Sequence, residues 1–487
     1  MTVASRSIAG LFAAIFLLLA TAALAEERIA IVGVTMIDGT GAPPRPDMTV
    51  EIADGRIVAV NRGQRHSPGA QAIDGRGRYL LPGFVDSNVH GTVYGNPARR
   101  DTSVRYANRN EELALEFAQR HLRVGVTTIR DSYGVLPPLL AVRDRIARGE
   151  AIGPRLLVAG NILGWGGPFS RTYSLTDDSE LSAFQEQWND ILAQGMGEEL
   201  LDMTPEELRG AMNRYLDLGV DFVKYGGTSH FMRPSLIGFS PRAQRVIIEE
   251  THRRGRMVET HATSSEALRI AVEAGIDLIQ HPELMSRDLP QDLIELIVRR
   301  GTLCAIRANV VTGDIRQRQI AARTAAQAEI AAEPPATTSA ERNRRVERLG
   351  EEEEIQRRNA ERLIRAGCRV TIATDNYLGD APEFRRTPKP PEQEPGEGSL
   401  RAIEGLVELG MTPLQAISAA TRNGAAAAGM ADELGTIAPG RIADLILLRA
   451  DPSADIRNIR ALDMVIARGR IVDTARLPDQ VIFGPPR

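Results

Sequence analysis

Five apolar runs of this sequence end in residues able to do chemistry. LLPGFVDSNVH closes on Asn88 and His90, VDFVK on Lys224, RMVETH on His261, DLIQH on His281 and VTIATD on Asp375. Neutral imidazole and carboxylate are the ligands of catalytic divalent metals, zinc foremost, with one coordination position kept for water. Each residue alone has a plainer reading. A histidine ending a strand usually makes a hydrogen bond, Asp375-Asn376 suits a turn, and Lys224 suits a surface charge. The joint pattern argues for a metal site, because the chain holds only 7 histidines and three of them end such runs. His66, in a polar loop, and His121 and His252, in helical stretches, read as structural. His230 follows Lys224 in a loop, and with Tyr225 it is a candidate for substrate contact. Arg307 and Tyr377 also follow apolar runs, where gripping a substrate and simple packing are equally open.

These residues share a site only if their runs lie side by side. The middle of the chain alternates strand-like and helix-like segments: LLPGFVD, VGVTTIRD, PRLLVAGNI, VDFVKYG, RMVETH, DLIQH, TLCAI and RVTIATD. Alternation of this kind predicts parallel strands with crossover helices, and eight such units predict a closed (β/α)₈ TIM-like barrel. In that barrel the C-terminal strand ends surround one mouth. Thr204-Pro205-Glu206-Glu207 opens one crossover helix with an N-cap and a proline at its first position. The Arg-, Glu- and Ala-rich stretch 313–356 interrupts the rhythm and predicts solvated helices over the mouth. The proline-rich segment 380–398 predicts a loop.

Short strands flank the barrel at both ends, with Asp54-Gly55 marking a hairpin. They predict a small β-sandwich domain of residues 26–80 and 431–487 around a barrel of 81–430. Arg6 followed by the apolar run to Ala25, ending Ala23-Leu24-Ala25, has the form of a cleaved signal peptide over 1–25. No later run is long enough to span a bilayer. Export to the periplasm or medium follows. The composition is that of an ordinary globular protein, 43% hydrophobic and 25% charged. A net charge of −4 gives no footing for nucleic acid. The partner expected is a small-molecule substrate. Cys304 and Cys368 lie in apolar stretches and read as buried thiols, with a disulfide open to an exported protein.

Taken together these motifs resemble the amidohydrolase superfamily, in its imidazolonepropionase-like and prolidase-type branch. The resemblance runs from about residue 28 to 472. It rests on LLPGFVDSNVH, GVTTIRD, GPRLLVAG, the two-histidine unit from Val258 to Glu283, IATDN, and GTIAPGRIADLILL. It implies a hydrolase of carbon–nitrogen bonds, of amides or cyclic amides, using one or two divalent ions, Zn²⁺ first. His90 would be the surviving ligand of the first-strand pair. Lys224 would carry a carbamate bridging two metals, as a desolvated amine attacks carbon dioxide readily. His261 and His281 would bind the second metal. Asp375 would bind metal and take the proton of the attacking water.

Two positions depart from the pattern. Asn88 stands where the family has histidine, which weakens the first metal position. Gly166-Gly167-Pro168 stands where prolidase-type relatives often have Gly-Gly-His, which argues against peptides. The same departures keep a non-catalytic barrel open, and the same site chemistry suits esters, lactones or phosphoesters. The signal sequence gives a direct expectation. N-terminal sequencing of protein secreted by a Gram-negative host is expected to begin at Glu26, and a membrane-bound product retaining Met1 contradicts it.

Overall fold

The computed structural model describes residues 28–94, 105–174, 181–231, 235–332, 350–379, 381–382 and 389–483. The expected signal peptide lies outside them.

The strand-like runs of the middle are short, and several are buried over their whole length, as in Val258–His261 and Leu303–Ile306. Continuous burial suits parallel strands covered on one side by helices and on the other by a filled interior. The strands form a ring of eight passages, all paired in parallel. Two passages change partner part-way and so join the two halves of the ring. In the third, Arg155–Val158 pairs with Val126–Asp131, and Ile162–Leu163 pairs with Val223–Gly226. The break falls at Gly160 (φ +78°), where a Cβ would collide with the Tyr215 hydroxyl. That hydroxyl donates to Ala159 O at 2.6 Å and accepts from Asn161 N at 2.9 Å, so the break is held at both ends. In the eighth, Arg369–Ile372 pairs with Leu303–Ile306, and Asn376–Gly379 pairs with the first passage, Phe84–Tyr94.

Helices cover the ring because their apolar residues recur at helical spacing. Pro205–Asp217 buries Leu208, Ala211, Met212, Tyr215 and Leu216. Its capping box is formed, with Glu207 N donating to the Thr204 hydroxyl and Thr204 N to the Glu207 carboxylate. The stretch after strand seven gives the exposed helix Gly313–Ala332 and, after a segment outside the description, Glu351–Arg365. Among the described residues of the proline-rich stretch 380–398, Pro391–Gln393 forms a short 3₁₀ turn before the helix Glu397–Glu408. No helix among the described residues is long and apolar enough to cross a membrane.

Both ends of the chain build a separate sheet. Its strands run in the order Arg470–Val472, Leu462–Ala467, Leu445–Leu448, Tyr79–Pro82, Ile29–Met36, Arg45–Ala53 and Arg56–Arg62. Gln71–Asp74 joins through Ile29–Val32. The expected sandwich therefore takes the form of one hydrogen-bonded sheet. Ile29–Met36 pairs first with Gln71–Asp74 and then with Tyr79–Pro82, so the sheet forks along this strand. Val34, Val50, Ile57, Leu447 and Ile466 share its core.

The cysteines are a correction. Cys304 and Cys368 form a disulfide, with Cα atoms 6.3 Å apart, instead of two free thiols. The seventh and eighth strands are ladder neighbours, with Cys304 opposite Val370. The inserted helices that separate the two cysteines by 64 residues hide this adjacency in the sequence. Closing a loop of that length removes unfolded-chain entropy worth about 4 kcal/mol. The double variant Cys304→Ala/Cys368→Ala is expected to unfold with about that loss in a denaturant titration. An unchanged midpoint would show that the bond contributes nothing.

Candidate active site

The first strand passage delivers Asn88 and His90 to the barrel mouth, and the eighth delivers Asp375 beside them. The tie between these strands begins below the site. Asp86, fully buried, accepts from Asn88 N, Thr374 N, the Thr374 hydroxyl at 2.8 Å and the Ser399 hydroxyl at 2.7 Å. Burial pushes its carboxyl up to about 6, and the Ser399 and Thr374 hydrogen bonds restrain that rise. Above it, Asp375 N donates to Asn88 O at 2.9 Å. Asp375 takes the left-handed conformation, φ +58°. Such a residue costs about 1–2 kcal/mol unless aspartate or asparagine bonds locally, and it persists where surroundings fix it.

Asp375 is the hub of the charged side of the mouth. Its Oδ1 accepts from Asn88 Nδ2 at 2.9 Å and lies 2.9 Å from His90 Nε2. Its Oδ2 accepts from Arg307 Nη1 at 3.3 Å. Burial works to raise this carboxyl, but the His90 hydrogen bond and the Arg307 guanidinium outweigh it and hold the carboxyl well below its usual range. Asp375 is thus a carboxylate. Lys224 Nζ reaches Asn88 Oδ1 at 3.4 Å, so one amide spans the lysine and the aspartate. Lys224 is buried, and desolvation lowers its pKa against the pull of Glu259 and Asp375.

His261 and His281 form the second group. His261 Nδ1 and His281 Nε2 are 3.1 Å apart. Burial first, then their neighbours' charges, lowers His261 well below an ordinary imidazole, and burial does the same to His281. His90 is lowered by burial too. All three rings are therefore neutral, the form that binds a metal. His281 is itself left-handed, φ +37°. His90 Nδ1, His261 Nε2 and His281 Nδ1 are buried without a hydrogen-bond partner.

A tetrahedral zinc with Zn–N of about 2.0–2.1 Å sets its ligand atoms roughly 3.3 Å apart. The facing nitrogens of His261 and His281 are near that spacing, so this pair fits a metal. Among the described residues no three His, Cys, Asp or Glu side chains already converge on one point.

The sequence-derived candidates Asn88, His90, Lys224, His261, His281 and Asp375 thus lie at one mouth. Tyr225 does not. Its ring is buried on the helix side, its hydroxyl donates to Gln244 Oε1 at 2.8 Å, and it packs on Phe239. Successive strand residues point to opposite faces, so a neighbour of Lys224 has to face away. His230 is exposed at the mouth, its ring 6.1 Å from that of His261. His252 pairs with Asp277 and His121 with Phe117 O, both away from the site.

Sequence reasoning missed Asp86, Trp165, Tyr173 and the buried ion pair Arg130–Glu259, 2.7 Å long. Charged residues inside apolar runs, FVDSN, TTIRD and MVETH, were the available signal for Asp86, Arg130 and Glu259. Trp165 lies in a loop and Tyr173 in the four-residue helix Arg171–Ser174, and neither gave one.

Compared with known protein families, residues 79–472 match the amidohydrolase family. The chain belongs to that family. Members generally use divalent metals, and this amidohydrolase is a hydrolase of carbon–nitrogen bonds. Solved structures similar to it include molinate hydrolase, 31% identical, covering 95% of this chain and 98% of that one with a TM-score of 0.83. Phenylurea hydrolase B is 30% identical, covering 95% and 100% with a TM-score of 0.83. Imidazolonepropionase from Symbiobacterium thermophilum is 24% identical over 464 residues, 88% of this chain and 90% of that protein.

Asp375→Asn is the cleanest probe of this amidohydrolase. Asparagine tolerates the left-handed conformation, so the backbone stays, while the carboxylate is lost. Turnover is expected to fall at least 10²-fold, the scale of a lost general base, with the circular dichroism melt unchanged within a few degrees. Full activity would remove Asp375 from the chemistry.

Proposed function

We propose that this amidohydrolase is exported and hydrolyses a small, non-peptide amide or cyclic amide with a divalent metal, Zn²⁺ in the first instance. The observation that carries this reading is the neutral pair His261 and His281, with facing nitrogens at ligand spacing, beside an ionised Asp375. His261, His281 and Asp375 would hold the tighter ion, with a carbamate on Lys224 as a further donor. His90, with Asn88, would offer a poorer second position. A bound divalent ion supplies Lewis acidity toward the scissile carbonyl and acidifies a water.

The chain's own groups supply the rest. Asp375 Oδ1 accepts the proton of the attacking water and returns it to the leaving nitrogen. His90 and Asn88 orient that oxygen from two sides. Arg307 holds Oδ2 and keeps the carboxylate ionised. Pro168 in place of a carbonyl-binding histidine favours a non-peptide substrate, and the names of the two solved relatives near 30% identity point the same way. The Cys304–Cys368 disulfide favours an oxidising compartment, in keeping with Ala23-Leu24-Ala25 as a cleavage site.

Metal counting tests the reading. The wild type is expected to retain close to one zinc per chain through dialysis, because an amide oxygen at position 88 replaces imidazole poorly. Asn88→His is expected to raise this toward two. Two ions already in the wild type would contradict the role given to Asn88. No metal in either protein would overturn the metal-dependent reading.

A further inference from the structure

One side of the mouth is built from rings. Starting at His90, the order is Tyr133, Tyr173, His230 and His261. His90 and Tyr133 meet edge to face at 6.1 Å. Tyr133 and Tyr173 are 6.1 Å apart and inclined by 28°, Tyr173 and His230 stack at 4.2 Å and 1°, and His230 and His261 are 6.1 Å apart at 28°. Trp165 stands edge-on to all but His90, 4.8 to 6.1 Å from each. Its indole N–H donates to Thr228 O at 2.9 Å, which fixes the hub. The backbone N–H of His230 donates to Thr172 O at 2.8 Å, which locks the two stacked rings together.

Loops after the second, third and fourth strands thus make one aromatic arc joining metal-side imidazoles at both ends. Trp165 and Tyr133 are buried, whereas Tyr173 is partly open and His230 exposed, so the stacked pair presents the free edge of the arc at the mouth. The other half of the mouth is charged but internally neutralised. Arg307 lies 3.3 Å from both Glu283 and Asp375, and Arg130 lies 2.7 Å from Glu259. A substrate carboxylate would have to break one of these pairs, leaving a buried carboxylate uncompensated.

We propose that Trp165, Tyr173 and His230 form a subsite for a flat, uncharged aryl or comparably apolar substituent next to the scissile bond, and that the site discriminates against substrates carrying a carboxylate. Aromatic side chains favour such partners through offset and edge contacts beyond simple area burial. Apolar walls with a few convergent polar groups are the usual form of small-molecule sites. The proposal rests on the hydrolase reading for the position of the scissile bond, but binding can be measured without turnover.

The probes are ketones that cannot be hydrolysed: 1-phenylpropan-2-one, its 4-carboxylate, and 2-butanone. They are titrated into the metal-replete protein by calorimetry. The phenyl ketone is expected to bind at least tenfold more tightly than either of the others. Tyr173→Ala and His230→Ala are each expected to reduce the preference for phenyl over methyl at least fivefold. His230→Phe, which keeps a flat ring on Tyr173, is expected to retain it. Equal or tighter binding of the carboxylate, an unchanged phenyl preference in both alanine variants, or no binding of the phenyl ketone to the wild type would overturn the proposal. If the phenyl ketone binds as expected but no amide is hydrolysed, the subsite stands and the hydrolase reading falls.

Discussion

The closure of the barrel between its first and eighth strands is the constraint on which the site depends. Asp86 gathers hydrogen bonds from both strands and from Ser399, and Asp375 N adds the ladder bond to Asn88 O. A buried carboxyl with that many donors is expensive to disturb, because removing it strands each partner in a dry interior. The arrangement fixes Asp375 in a conformation that few side chains tolerate and sets its carboxylate between His90, Asn88 and Arg307. His281, at the same mouth, also holds a left-handed backbone conformation.

Burial then sorts the titratable groups by role. The same desolvation that keeps His90, His261 and His281 neutral also works against charge on Lys224. Only Asp375 is held firmly ionised, because cationic and hydrogen-bonding neighbours outweigh its burial. Nearby Asp131, with fewer donors, is pushed by burial up to about 8. Asp131 and Asp375 therefore differ in charge for reasons readable in their partners. Neutral imidazoles and one poised carboxylate are what a metal-assisted hydrolysis requires.

Much of this was legible in the sequence because barrel chemistry sits at strand ends, and polar residues ending apolar runs are visible without a structure. His90, Lys224, His261, His281 and Asp375 fall into that class, and the eight alternating runs, five of which carry them, predicted the ring. Tyr225 shows the limit: period-two alternation turns it away from Lys224 and onto Gln244. The Cys304–Cys368 bond was hidden, since it depends on which strands become neighbours across 64 residues. The fork at Ile29–Met36 depends on register, which short flanking strands do not encode individually. The arc around Trp165 comes from three loops whose order in space is set by the barrel and not by any local motif.

The central claim is that two neutral imidazoles at ligand spacing hold the reactive metal. Anomalous diffraction at the zinc edge from crystals of the zinc-loaded protein tests it most directly. The account predicts an anomalous peak about 2.0–2.1 Å from one nitrogen of His261 and one of His281, with Asp375 or a modified Lys224 completing the shell. A zinc ion bound by neither histidine, with His261 Nδ1 and His281 Nε2 still facing each other at 3.1 Å, would contradict it.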